Sequence, residues 1–124
     1  MPLSYAIDPT QRLVTISGEY ADADEWARLL NDVLRDPMRE AGFGFLRDLR
    51  GATKPVDAAT VVQIVAVVRR LWPLLQPTRA AILTPHRLDA AAFVAQALSE
   101  SQQLPLRVFQ SFDEAIAWLN GDEP

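Results

Sequence analysis

The stretch Asp57-Ala58-Ala59-Thr60-Val61-Val62-Gln63-Ile64-Val65-Ala66-Val67-Val68-Arg69-Arg70-Leu71-Trp72-Pro73-Leu74-Leu75 decides the fold. Its valines and Ile64 are strand formers by local preference. The run is nevertheless too long for a strand, and Val61, Ile64, Val65, Val68 and Trp72 recur on one face of a 3.6-residue helix. Asp57 supplies a side-chain oxygen where a helix start needs a cap. Length and period outweigh propensity, so a helix is expected from Ala58 to about Leu75.

Upstream, Leu3-Ser4-Tyr5-Ala6-Ile7 alternates as a half-buried strand does, and Asp8-Pro9-Thr10-Gln11 carries turn chemistry. Leu13-Val14-Thr15-Ile16-Ser17, β-branched at its three central residues, is then the returning strand of a hairpin. Asp22 and Glu25 have capping-box spacing. Trp26, Leu29, Leu30, Val33 and Leu34 make one apolar helical face, which Pro37 ends. Phe43 to Leu49 reads as a strand, followed by the loop Arg50 to Pro55. Downstream, Arg79 to Thr84 reads as a short buried strand. Asp89 to about Gln102 reads as an Ala-rich helix with Ala90, Phe93, Val94, Ala97 and Leu98 on one face. Leu106-Arg107-Val108-Phe109 is the last strand, and Ser111 with Glu114 caps a final helix that Gly121 ends. Residues 120–124 are expected to form a frayed tail. The fold class is therefore α/β, a mixed, mostly parallel five-stranded sheet in the order β-β-α-β-α-β-α-β-α with about four helices and right-handed crossovers.

The 124 residues suit one domain, and 49% apolar with 23% charged is a globular balance. A net charge of −4, with twelve dispersed Lys and Arg, argues against nucleic acid and against an anionic membrane surface as partners. No cysteine is present, which removes disulfides, thiolate chemistry and Cys-ligated metal. The start Met1-Pro2-Leu3-Ser4-Tyr5 lacks a signal-peptide pattern. Val61 to Leu75 looks too short and too charged to span a bilayer. A cytoplasmic address is expected.

Ligands of open α/β sheets gather beyond the carboxyl ends of parallel strands. Those ends carry Asp48, Arg50 and Thr53 after one strand and Thr84, His86 and Arg87 after another, facing the helix start at Asp57. One reading is a binding site for a small anion, a nucleotide-like ligand or a partner carboxylate. The other, preferred, is a local Asp48–Arg50 pair with His86 on a solvated loop. His86 is the sole histidine. It has no evident Ser/Asp relay or second metal ligand, so neither a catalytic residue nor a metal site is expected, nor a cofactor. Asp22, Asp24 and Glu25 are accounted for by the helix dipole. Gly42, Gly44 and Gly51 make no phosphate-cradling loop.

The Val-rich helix holds the most informative anomaly. At 100° per residue, Val62 and Val67 fall on either flank of its core face, a stripe wider than one sheet contact needs. Val62, Val67 and Leu74 therefore mark an interface for a protein partner or a second copy of the chain, unless the helix is buried unusually deeply.

Three segments together, Tyr5-Ala6-Ile7-Asp8 with Arg12-Leu13-Val14, Asp48-Leu49-Arg50-Gly51-Ala52, and Val108 to Leu119, give the chain a likeness. It resembles the SpoIIAA-like, STAS-like family of small bacterial domains over nearly its whole length. The resemblance implies a mixed sheet with about four helices, cytoplasmic placement, no catalysis of its own and action through protein partners. It also implies a phosphorylated Ser after an Asp at the start of the second helix. Here Asp57 is followed by Ala58 and Ala59, and neither Thr53 nor Thr60 occupies the matching place, so the phosphorylation site is not carried over.

Overall fold

The computed structural model describes residues 2–19, 22–52, 57–76, 79–85 and 90–121. The chain opens with β1 (Ser4–Asp8) and β2 (Leu13–Ser17), paired antiparallel with Ser4 opposite Ser17 and Asp8 opposite Leu13. The turn between them is built by Asp8, whose Oδ1 accepts from the backbone N–H groups of Thr10 and Gln11 at 3.0 and 3.1 Å. Such a side-chain-closed turn is what Asp followed by Pro favours. At the far end of β2, Gly18 adopts φ +91°, and a Cβ there would collide with the Pro2 carbonyl. Only glycine fits where the chain crosses so closely.

Three strand–helix units follow: α1 (Ala23–Arg35), β3 (Gly44–Asp48), α2 (Ala58–Leu75), β4 (Ala80–Leu83), α3 (Ala90–Ser101), β5 (Leu106–Phe109), and last α4 (Phe112–Leu119). The sheet order is β1-β2-β3-β4-β5. It is a mixed sheet: β1 runs antiparallel to β2, while β2·β3, β3·β4 and β4·β5 are parallel. The element types and their order are those expected.

Side chains alternate across a strand, so the sheet has two faces to cover. On one face Val14, Ile16, Phe45 and Ala80 meet Trp26, Leu29, Leu30 and Val33 of α1 and Val67, Leu71 and Leu75 of α2. Ile82 on that face meets Val61 and Val65 of α2 and Ala92 and Ala95 of α3. On the opposite face Leu13, Leu46, Ala81, Leu83 and Phe109 lie under Ala115, Trp118 and Leu119 of α4. The result is a helical layer α1-α2-α3, with α2 in the middle, and a single helix behind the sheet. The outer N–H of edge strand β5 is closed by the Gln96 side chain, whose Oε1 accepts from Val108 N at 2.8 Å, which blunts strand addition there.

Two expectations are corrected. In α3 the buried line is Ala92, Ala95 and Ser99, leaving Phe93 and Ala97 exposed and Val94 and Leu98 half-buried. The helix is turned so that its alanines face Val61 and Val65 of α2. Small side chains allow that close approach, and a phenylalanine would hold the helices apart. The second correction concerns α2. It starts at Ala58 and reaches 18 residues, long and apolar enough by length and composition to cross a membrane, so length does not exclude a span. In this structure it is a core helix, with Val61, Val65, Val67, Leu71 and Leu75 buried. Of the expected tail, Asn120 and Gly121 form the turn closing α4, and residues 122–124 lie outside the described residues.

Truncation of Leu30, 2% exposed beneath α1, is expected to cost about 2–5 kcal/mol by emptying a site that cannot collapse. Urea unfolding of Leu30→Ala against the parent chain measures it, and a loss below about 1 kcal/mol would contradict this packing.

Candidate functional site

The carboxyl ends of β3 and β4 are neighbours, since Asp48 is registered with Leu83 and Leu49 N donates to Leu83 O at 2.8 Å. Of the expected strand-tip set, Asp48 and Arg50 come together. Arg50 Nε and Nη2 donate to the two Asp48 carboxylate oxygens at 3.1 and 2.9 Å, and the Arg50 backbone N–H donates to Oδ1 at 3.0 Å. The guanidinium also lies over the Phe112 ring, 5.1 Å from its centroid. Arg50 is thus held by a two-pronged charged pair and an aromatic face. The hydrogen bonds from Arg50 hold the Asp48 carboxyl below its ordinary value, with partial burial opposing, and Asp48 raises Arg50 in turn.

Thr84 is buried directly after β4, and its N–H donates to Phe109 O at 3.0 Å, extending the sheet by one rung. Asp57 caps α2, its carboxylate accepting from Thr60 N at 2.8 Å. That backbone hydrogen bond lowers its pKa. Thr53, His86 and Arg87 lie outside the described residues. The strand tips therefore present a charge pair closed on itself and a cap closed on its helix. Among the described residues no group of three or more His, Asp or Glu is placed to hold a metal ion.

One strand-tip residue escaped the sequence reading. Arg47 occupies the polar position of an alternating strand, yet it points under α1 and lies over the Trp26 ring at 5.4 Å. Its guanidinium donates to the carbonyls of Ile16, Gly18 and Asp48 at 3.2, 2.7 and 3.4 Å. It ties the end of β2 to β3, a structural duty that strand periodicity does not reveal.

The second candidate region is the outer face of the helical layer. Val62 is 50% exposed and Leu74 62%, whereas Val67 is 9% exposed and belongs to the core shared with α1. Val67 is thus removed from the expected interface: α2 sits between two helices, so one flank of its wide stripe is consumed by α1. The neighbouring helix adds Phe93, 48% exposed. Arg69 and Arg70 are exposed on α2 and, among the described residues, make no salt bridge.

The fold and these two regions define an α/β domain with a helical layer whose outer surface is partly apolar. No protein-family model, curated protein or solved structure matches the chain.

The Asp48 carboxyl titrates lower in the folded chain than in the unfolded one, so its ionised form adds stability above the ordinary carboxylate range. That contribution disappears as the pH falls through this range to the lowered value. Equilibrium unfolding from neutral pH down to about pH 3 should show Asp48→Asn losing less stability on acidification than the parent chain, and parallel curves would contradict the pairing.

Proposed function

We propose that this chain is a non-catalytic, STAS-like interaction module that docks a protein partner through the outer face of α2 and α3. The observation that carries the reading is the half-exposure of Val62 and Phe93 on adjoining helices of one layer. Large apolar side chains left in water are costly unless a partner covers them. The mixed sheet with four helices supports the STAS-like part, being the architecture the resemblance implies. A phosphorylation switch is not part of the proposal, because Ala58 stands at the family position and Thr60 is half-buried in the first turn of α2. A cytoplasmic address belongs to the same reading.

A small-anion site at the strand tips has less support. Arg50 would have to leave both oxygens of Asp48 and the Phe112 ring to engage a ligand. That exchange returns little, since one anion contact replaces another.

A photo-crosslinking benzoylphenylalanine in place of Val62, in the cells that make the protein, tests the reading. A discrete protein adduct is expected at position 62, weakened by Phe93→Glu, and none from Asp113 on α4 behind the sheet. Equal labelling from 62 and 113, or no adduct from 62, would contradict it.

A further inference from the structure

Granting that the outer face of α2 and α3 docks a protein, we infer that its occupant is a second copy of this chain, related by a two-fold axis parallel to the helices. In that arrangement α2 of each protomer lies over α3 of its partner.

The case starts from the charges. The only charged side chains of α2 are Arg69 and Arg70, and the only one of α3 is Glu100. One helix is purely basic and its neighbour purely acidic, on a chain whose net charge is −4. Although α2 and α3 pack side by side through Val61, Val65, Ala92 and Ala95, no salt bridge joins Arg69 or Arg70 to Glu100 within the protomer, among the described residues. All three side chains are exposed. Among the described residues the Glu100 carboxylate meets only the neutral Gln96 amide, at 3.4 Å, so the opposite charges of the two adjoining helices are not neutralised within the protomer.

The spacing is the second observation. Val62, Ala66 and Arg69 on α2 stand at i, i+4 and i+7, and Phe93, Ala97 and Glu100 on α3 have the same intervals; all six are exposed. Seven residues are two turns, so each set is a stripe along one side of its helix, about 10 Å from first to last. The helices run parallel to each other, because each follows a strand and returns to the next parallel one. Their opening turns lie at about the same height, since Val61 and Val65 of α2 share one buried cluster with Ala92 and Ala95 of α3.

A two-fold axis along the helices keeps height and direction and exchanges left for right. It therefore sets Val62 on the partner's Phe93, Ala66 on the partner's Ala97, and Arg69 and Arg70 on the partner's Glu100, twice over. A bulky apolar pair, a small pair allowing close approach and an ion pair then coincide on one line. The alternative axis, perpendicular to the helices, sets α2 on the partner's α2 antiparallel and aligns arginine with valine, with no charge matched. An isologous interface needs self-complementarity, and only the first axis supplies it. Leu74 lies twelve positions beyond Val62 on α2. That is about 18 Å along the helix, beyond the end of the facing stripe.

Sedimentation equilibrium of the full chain across rising concentration tests the pairing, with circular dichroism confirming that each variant is folded. The parent chain is expected to dimerise reversibly, and the double variant Arg69→Glu/Arg70→Glu and the single variant Glu100→Arg should each weaken the dimer about tenfold or more. Mixed in equal amounts, the two variants should recover the parent's dimer, because each supplies the charge the other lacks at both contacts. Leu74→Glu should leave it unchanged. A parent chain that stays monomeric at about 1 mM, where even weak specific pairs form, would overturn self-pairing. So would a dimer indifferent to the charge reversals, a mixture that fails to recover, or a dimer dispersed by Leu74→Glu. An adduct from position 62 of a mass other than twice the chain, with a monomeric parent, removes self-pairing and keeps the docking face. The absence of any adduct removes both.

Discussion

A helix with valine around most of its circumference is tolerated in water only if neighbours cover it on several sides. That constraint organises this molecule. Residues Val61 to Leu75 form such a helix, and the fold meets its demand by placing α2 in the middle of a layer, with the sheet beneath, α1 on one flank and α3 on the other. A central place in that layer requires strands on either side of the crossover, which the order β1-β2-β3-β4-β5 provides. Only the outward side remains, and there the sequence turns to Ala59, Val62, Gln63, Ala66, Arg69 and Arg70, a surface partly apolar rather than fully polar. The proposed docking face is what is left of an overly apolar helix after the fold has covered as much as it can.

The charges divide along the same axis. The starts of the helices carry acceptors: Asp22 accepts from Glu25 N, Asp57 from Thr60 N and Ser111 from Glu114 N. The ends of α2 and α4 are met by arginines from outside those helices that donate to late carbonyls, Arg39 to Leu75 O at 2.7 Å and Arg79 to Trp118 O at 2.8 Å. Both follow the helix dipole and satisfy orphan backbone groups. Much of the charge that a sequence reader is tempted to assign to a ligand is thus already engaged, Asp48, Arg50, Arg47 and Asp57 included. Arg69 and Arg70 make no salt bridge among the described residues and Glu100 meets only the Gln96 amide, and all three lie on the helical layer rather than at the strand tips.

What could be read in advance follows from where the controlling physics is local. The hairpin was legible because Asp8 and Pro9 make their turn without outside help, and three helix starts because caps bond within a turn. The long helix was legible because its length defeats its propensity. The rotation of α3 was not, since an Ala-rich helix has many equally apolar faces; the choice falls to how closely α2 approaches, a tertiary fact. Val67 was mistaken for a free flank for the same reason, because a sequence does not announce that its helix will have neighbours on both sides. Arg47 was missed because an inward arginine bonded to carbonyls has the same pattern as an outward one in water.

The central claim is the orientation of α2, with Val65 facing α3 and Val62 facing solvent. Because the chain has no cysteine, Val62→Cys and Val65→Cys each introduce a single thiol that reports its own exposure. Under native conditions, at a concentration low enough to keep the chain monomeric, the thiol at 62 should react with a maleimide at nearly the rate of the unfolded chain, while the thiol at 65 should react only as fast as the protein opens. Equal native rates at the two positions, or protection at 62 with rapid labelling at 65, would contradict the account.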